Sequence, residues 1–162
     1  KGVTVIGTVG SDAKKETILA NGAAHAVNYK TENFTEAARD VTGGEGVHVV
    51  YDSVGKDHYQ GSIDSLRRRG MMINFGNASG PVPPIDAVEL NVKGSLFFTK
   101  ASMRFYQLSR AELENSAATL FDAIGSGAVK PFIGQTYALA DAAQAHIDVW
   151  DGKTTGSTVL SV

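Results

Sequence analysis

The chain has 162 residues, of which 43% are hydrophobic and 20% charged, and it carries a formal net charge of −2. It is long enough for one domain with a buried core, and its near-neutral charge argues against nucleic-acid and anionic-membrane partners. The absence of cysteine excludes disulfides, thiolate catalysis and cysteine-ligated zinc. Since the sequence has no transmembrane run and no signal peptide, we expect a cytoplasmic protein.

Short runs rich in β-branched residues alternate with longer amphipathic stretches in the first part of the chain. This alternation is typical of an α/β fold with a mostly parallel sheet. The predicted strands cover residues 3–9, 26–29, 47–51, 71–75 and 96–98. The predicted helices begin at Asp12 and stop at Asn21, run over residues 33–41, and span about 58–66.

The C-terminal part is predicted to contain a helix, an extended run, a second helix and a final strand. These cover residues 111–124, 137–139, 141–149 and 157–162, and Ser109 is the expected cap of the first helix. Residues 81–84 include three prolines and are predicted to be loop. Arg67, Arg68 and Arg69 follow a predicted helix end, where their charges would favour the helix dipole.

The glycine-rich phosphate loop of a dinucleotide-binding fold is missing from this sequence. Such a fold opens with a strand, a G-x-G-x-x-G turn and a helix, and no G-x-G-x-x-G occurs at any position here. The prediction is a Rossmann-like doubly wound parallel sheet that lacks the first strand and this loop. Because that strand lies at the centre of such a sheet, residues 3–9 and 47–51 would be left as unpaired edges. We expect these two strands to pair directly with each other, or the chain to dimerise through them.

The end of the first predicted strand offers a candidate phosphate site. Gly10 and Ser11 form a small, hydroxyl-bearing tip, and Lys14 and Lys15 lie one helical turn further on. This arrangement suits a ribose 2′-phosphate, which a carboxylate at the tip would repel. The alternative is that Ser11 or Asp12 caps the helix and that the lysines are solvated.

Glycines stand at the carboxyl ends of several predicted strands, at Gly10, Gly55 and Gly76. The ligand crevice of an open α/β sheet lies at this edge, and glycine lets the backbone approach a ligand closely. Ordinary turn chemistry is the alternative, since glycine is common in turns. Hydrolase and metal sites are not supported, because no G-x-S-x-G or H-E-x-x-H occurs and the four histidines are scattered.

Three strings of residues, 49–55, 66–70 and 75–80, resemble the zinc-free, NADPH-dependent quinone oxidoreductases of the medium-chain dehydrogenase/reductase family, which include zeta-crystallin. The resemblance extends over essentially the whole chain. It implies that residues 1–162 are a partial NADP(H)-binding Rossmann domain, with a C-terminal return segment from about 134 to 162 and no N-terminal catalytic domain. It also implies hydride transfer from NADPH to a quinone or similar electron-poor enone, in a homodimer.

The resemblance assigns candidate cofactor-binding residues by position. Gly10, Ser11 and Lys14 would face the adenosine 2′-phosphate, and Tyr29 would pack near the adenine end. Lys153 stands where the bacterial pattern has an arginine for the same phosphate, and as a point charge it lacks the arginine fork.

The remaining assignments fall on the two loops that follow the third and fourth predicted strands. Ser53, Val54 and Gly55 would line the ribose and pyrophosphate side. Phe75, Gly76 and Ser79 would lie beside the nicotinamide half. No catalytic residue is assigned, because the family's substrate-facing residues lie largely in the catalytic domain.

Two other interpretations of the sequence stay open. One is a non-catalytic nucleotide-binding or structural, crystallin-like protein, and the other is another medium-chain reductase such as an enoyl reductase. Without the turn that holds the pyrophosphate, we expect the chain alone to bind NADPH weakly or undetectably and to be inactive.

Overall fold

The structure, a computed structural model, describes residues 2–162. The chain forms two compact units, Lys1–Ser102 and Met103–Val162. Strands and helices alternate in the first unit, the second unit has two helices before its first strand, and the paired strands run parallel. The predicted α/β class is therefore confirmed. In the part of the chain that is described, no helix is long and apolar enough to cross a membrane.

The first unit contains the strands and helices that carry most of the candidate site. Its strands are β1 (Ile6–Val9), β2 (His25–Asn28), β3 (Val47–Asp52), β4 (Leu66–Asn74) and β5 (Phe97–Lys100). Its helices are α1 (Lys15–Ala20), which follows a 3₁₀ turn at Asp12–Lys14, α2 (Phe34–Val41), α3 (Tyr59–Asp64) and α4 (Ala87–Val92).

Two parallel sheets make up this unit. Strand β1 pairs with β2, and β4 lies between β3 and β5 in the other sheet. The main apolar core lies where α3 packs on β3 and β4. Its buried members are Tyr59, Ile63, Leu66, Met72 and Leu96. Full burial of an aliphatic side chain contributes about 1.5–3 kcal/mol, so this core holds the second sheet against its helix.

The second unit contains α5 (Met103–Tyr106), α6 (Arg110–Gly125), β6 (Ile133–Ala138), α7 (Ala142–Trp150) and β7 (Ser157–Ser161). Strand β6 pairs with β7. A 3₁₀ turn at Leu139–Asp141 separates β6 from α7, so the extended run predicted to reach residue 139 ends one residue earlier.

Local capping signals explain why several helices begin where the sequence predicts. The side chain of Asn33 accepts hydrogen bonds from the backbone N–H groups of Thr35 (3.0 Å) and Glu36 (3.3 Å), at the start of α2. Ser109 and Glu112 form a reciprocal capping box at the start of α6. These short-range hydrogen bonds satisfy backbone donors that no helix can satisfy internally.

Some boundaries differ from the prediction. Residues 3–5 lie outside β1, and Leu66 belongs to β4 and not to the helix before it. Helices α4 and α5 were not predicted, because each is short and gives little periodicity. Asp86 caps α4 by accepting the N–H of Val88 at 2.8 Å.

The expected direct pairing of the first and third strands is wrong. Strand β1 pairs with β2, and β3 pairs with β4, within the residues described. The β1–β2 sheet is joined to the rest by helices and by His58, whose ring centroid lies 4.6 Å from that of Tyr29 and 5.3 Å from that of Phe34. Direct pairing of β1 with β3 would require these contacts to rearrange. Dimerisation through the edges stays a prediction.

The prediction that the three arginines act on a helix end is also wrong. Helix α3 ends at Asp64 with Ser65 as its C-cap, and Arg67, Arg68 and Arg69 lie inside β4. They form an irregularity in the strand, because Val47 pairs with Leu66 whereas Val49 pairs with Met71. Helix periodicity cannot reveal this, since the bulge depends on which residues of β3 lie opposite.

Candidate functional site

Two loops meet at the carboxyl ends of β3 and β4. We call residues 53–58 the β3 loop and residues 75–80 the β4 loop. The N–H of Ala78 donates to the carbonyl of Ser53 (3.2 Å), and the N–H of Ser79 donates to that of Val54 (2.8 Å). These backbone hydrogen bonds hold the two loops side by side at the edge where α/β sheets bind ligands.

Glycine is required at two points where the loops touch. Gly55 has φ of 89°, and a Cβ there would lie 2.3 Å from the carbonyl oxygen of Gly80. A Cβ on Gly76 would lie 2.3 Å from the carbonyl oxygen of Ser53. Both neighbours are backbone atoms, so no side chain can be accommodated without moving a loop. At these positions glycine serves the close packing of the loops themselves.

Ser79 uses its hydroxyl within the loops. Its Oγ donates to the carbonyl of Val54 at 2.9 Å and accepts the N–H of Asp57 at 3.0 Å. Phe75, in contrast, exposes 56% of its surface beside these loops. The two predicted site residues therefore differ, since one fixes the loop and the other presents an apolar ring.

Asp52, which is not among the predicted site residues, supports this edge of the sheet through the hydrogen bonds of its buried carboxylate. Its side chain is buried, at 4% exposure. One carboxylate oxygen accepts the N–H of Gly55 (2.7 Å) and the Nδ2 of Asn74 (3.2 Å), and the other accepts the hydroxyl of Ser62 (3.0 Å). The carboxylate thus ties the β3 loop to β4 and α3.

Asn74 and Lys100 extend the network across the sheet. Fully buried Asn74 donates from Nδ2 to the carbonyl of Gly76 at 2.9 Å, and its Oδ1 accepts from Lys100. The Lys100 ammonium also donates to Asn77 Oδ1 (2.7 Å) and to the carbonyl of Gly76 (3.3 Å). In the sequence, this network is visible only as a polar residue at the end of each of the strands β3, β4 and β5. The pairing of these strands brings the three polar side chains into contact.

The end of β1 holds the other predicted residues together. A Cβ on Gly10 would lie 2.8 Å from the hydroxyl oxygen of Tyr29, so this glycine leaves room for the tyrosine. Ser11 precedes the 3₁₀ turn and makes no side-chain capping hydrogen bond. The N–H of Lys14 donates to the carbonyl of Ser11 at 3.1 Å, which keeps both on one turn.

Hydrogen bonds and ion pairs hold the charged side chains of Asp12 and Lys15 beside this turn. Asp12 accepts a hydrogen bond from Asn28 Nδ2 at 3.1 Å, and this bond, together with one from Lys15, lowers the pKa of its carboxyl. Lys15 also pairs with Glu32, and that contact raises the pKa of the lysine. Asp12 therefore does not act as a helix cap, and its carboxylate shares the Lys15 ammonium with Glu32. The alternative of a fully solvated Lys15 is excluded.

His58 brings the two parts of the edge together. It ends the β3 loop as the N-cap residue of α3, and its ring packs edge-on against Tyr29. The β1 tip and the two loops therefore share one edge of the first unit.

Lys153 lies in the second unit. Its ammonium pairs with Asp151 (2.8 Å) and Asp148 (3.5 Å). The hydrogen bond to Asp151 contributes most to the raised pKa of this lysine.

A metal site does not fit the described residues. Among residues 2–162, no group of three or more His, Cys, Asp or Glu side chains is arranged to hold a metal ion.

Comparisons with known proteins identify the family of the chain. The family described as zinc-binding dehydrogenase matches residues 21–160. The chain is 46% identical to a 2-haloacrylate reductase from Burkholderia sp over 98% of this chain and 48% of that protein. It is 45% identical to a quinone oxidoreductase from Salmonella typhimurium over 98% of this chain and 49% of the relative.

Solved structures agree. The crystal structure of Escherichia coli quinone oxidoreductase complexed with NADPH is 42% identical, with a TM-score of 0.94 over 99% of this chain and 50% of that one. This likeness confirms the Rossmann-like fold. The chain spans about half the length of the curated relatives it matches. It belongs to the zinc-binding dehydrogenase family and is a homologue of quinone oxidoreductases.

Proposed function

We propose that this chain supplies the NADPH-binding part of an oxidoreductase that transfers hydride to a quinone or similar electron-poor enone. The observation that carries the proposal is the edge formed by the β1 tip, the β3 loop and the β4 loop. Its similarity to a quinone oxidoreductase complexed with NADPH supports the cofactor, and the similar 2-haloacrylate reductase supports an electron-poor alkene as substrate.

The β1 tip suits the adenosine 2′-phosphate of NADPH. Ser11 supplies a hydroxyl, Lys14 supplies a positive charge, and Gly10 lets Tyr29 approach the same turn. Asp12 is already bonded to Asn28, so its carboxylate does not have to face the phosphate. A dinucleotide site that prefers the free 2′-hydroxyl would instead present a carboxylate there.

The two loops would hold the rest of the cofactor. The backbones of the two loops pack closely together, and Ser53, Val54 and Gly55 would line the ribose and pyrophosphate side. Phe75, Gly76 and Ser79 stand beside the nicotinamide half, with Phe75 offering an apolar surface and Ser79 holding the loop. The nicotinamide supplies the hydride when bound, and this chain's residues position it. We assign no catalytic residue.

Other parts of the proposal rest on fewer observations. Residues 1–162 would form a partial NADP(H)-binding domain, with residues from about 134 as a return segment and the substrate-facing residues in a separate catalytic domain. We propose a zinc-free enzyme, since the described residues offer no metal-holding group and the chain has no cysteine. A cytoplasmic location is part of the same proposal.

Lys153 and a homodimer complete the proposal. Lys153 would be a second contact for the 2′-phosphate, although two carboxylates already share its charge. The unpaired edges of β1 and β3 would offer a pairing surface for a second copy.

Binding of two nucleotides by the chain tests the proposed cofactor site. Adenosine 2′,5′-bisphosphate and adenosine 5′-monophosphate differ at the 2′-phosphate, and neither needs a dinucleotide loop. We expect calorimetry to give at least about tenfold tighter binding of the bisphosphate, as a charged contact contributes more than 1 kcal/mol. The variant Lys14→Gln should lose this preference and Lys130→Gln, an exposed lysine, should keep it. Equal affinities for the two nucleotides would refute the assignment.

A further inference from the structure

A cavity of about 720 Å³ opens at the amino ends of β4 and β5. It is lined by Glu45, Arg67, Arg68, Arg69 and Phe97. The amino ends of parallel strands lie at the edge opposite their carboxyl ends. At about 3.3 Å per residue, the arginines lie roughly 20 Å along β4 from the β4 loop. This cavity is therefore separate from the proposed NADPH site.

The residues that line the cavity carry an excess of positive charge. Three arginines and one acidic residue, Glu45, are among the five residues that line the cavity. Within residues 2–162, the side chains of Arg67, Arg68 and Arg69 take part in no salt bridge or hydrogen bond. Positive charges on three consecutive residues repel each other, and an anion bound beside them would reduce that repulsion.

Arg67 adds a buried donor without an acceptor. Its Nε is buried and has no hydrogen-bond partner among the described residues. Buried polar groups in proteins nearly always have a partner, and a buried donor on a charged group is the more costly to leave unpaired. An anion bound next to this guanidinium group would offset part of that cost through its charge.

The backbone that presents the arginines is strained. Arg69 has φ of 59° and Ser95 has φ of 55°, and they are the non-glycine residues with positive φ in the described chain. Both lie at this end of the sheet, where the N–H of Arg69 donates to the carbonyl of Gly94 at 2.8 Å. A Cβ on Gly94 would lie 3.0 Å from the Cα of Arg68, so the strand and the turn are in close contact. Such strain concentrates at ligand sites and active sites.

We propose that this cavity binds phosphate, either free or as the monoester of a small molecule. Guanidinium groups form paired hydrogen bonds with phosphate oxygens, and the two excess positive charges match the charge of a phosphate monoester. The ring of Phe97, half exposed on the wall, gives an apolar surface next to the arginines for the organic part of an ester. The cavity is open to solvent and has room for a small phosphate ester.

Proton–nitrogen correlation spectra of the arginine side chains test the proposal. The chain is titrated with inorganic phosphate at constant ionic strength, with sodium chloride as the balancing salt. We expect the Nε–H resonance of Arg67 to shift and to saturate. Arg68→Gln, at a more exposed position of the same cavity, should weaken binding about tenfold, whereas Arg104→Gln in the second unit should not change it.

A second titration identifies the form of the ligand. Tighter binding of phenyl phosphate than of inorganic phosphate supports an ester, and equal affinities support free phosphate. Lys14→Gln should leave the shift of Arg67 intact, which separates this cavity from the proposed NADPH site. An Arg67 resonance that phosphate does not move, or a response that Arg68→Gln leaves unchanged, would overturn the proposal.

Discussion

Removing the Asp52 carboxylate should destabilise the first unit strongly. Asp52→Ala takes away the acceptor for the Gly55 N–H (2.7 Å), the Ser62 hydroxyl (3.0 Å) and the Asn74 Nδ2 (3.2 Å). Asn74 keeps the carbonyl of Gly76 as an acceptor at 2.9 Å. The Gly55 N–H and the Ser62 hydroxyl are therefore the two donors that lose their acceptor. A hydrogen bond to a charged group contributes about 1.5–3 kcal/mol, so we expect a loss of about 4 kcal/mol. Total stabilities are about 5–15 kcal/mol, which makes this a large fraction.

Urea unfolding followed by far-UV circular dichroism measures the loss. Asp40→Ala is the matched control, since Asp40 is exposed in the last turn of α2 and should change stability by less than about 0.5 kcal/mol. Amide hydrogen exchange of Gly55 reports the local effect and should accelerate in Asp52→Ala. A loss below about 1 kcal/mol with unchanged exchange at Gly55 would show that the carboxylate does not hold the β3 loop.

Three further outcomes follow from other contacts. Gly76→Ala should lower the free energy of unfolding in urea by about 1–3 kcal/mol, because its Cβ meets the Ser53 carbonyl. Gly125→Ala, in open space on a helix, should raise it by about 0.5–1 kcal/mol. Equal effects of the two substitutions would contradict the close contact at Gly76. The Ser109 backbone N–H lowers the pKa of Glu112, so its contribution to stability is present above the ordinary glutamate pKa and is lost as the pH falls through the lowered one. Glu112→Gln should remove that part of the acid dependence, measured by circular dichroism against pH, and an unchanged pH profile would argue against it. In the proposed NADPH-dependent enzyme, Lys14→Gln should raise KM for NADPH much more than KM for NADH, and equal changes would exclude a contact with the 2′-phosphate.

Local features of the sequence determined most of the elements. Asn33 and Ser109 begin helices at their predicted positions because a capping hydrogen bond involves only residues two or three positions away. The run of β-branched residues before Gly10 predicted the end of β1, and Asn21 and Gly22 predicted the end of α1. The carboxyl-end glycines followed from the same reasoning, since parallel strands gather these ends at one edge.

Other expectations failed because they depend on which strands become neighbours. The position of the three arginines is decided by the register of β4 against β3, and the separation of β1 from β3 is decided by helix packing and by the ring contacts of His58. Neither register nor helix packing leaves a mark within a short window of sequence.

By itself, the sequence determined the α/β class, the order of the strands and of the longer helices, and the strand ends at which most of the candidate cofactor residues lie. Only the tertiary structure decided that Asp52, Asn74 and Lys100 form one network beneath those strand ends, that Gly55 and Gly76 are required by backbone atoms of the opposite loop, and that three arginines line a cavity. The physical reason is range. Caps, turns and periodicity act between residues close in sequence, whereas buried hydrogen bonds and steric contacts join residues that only the pairing of strands brings together.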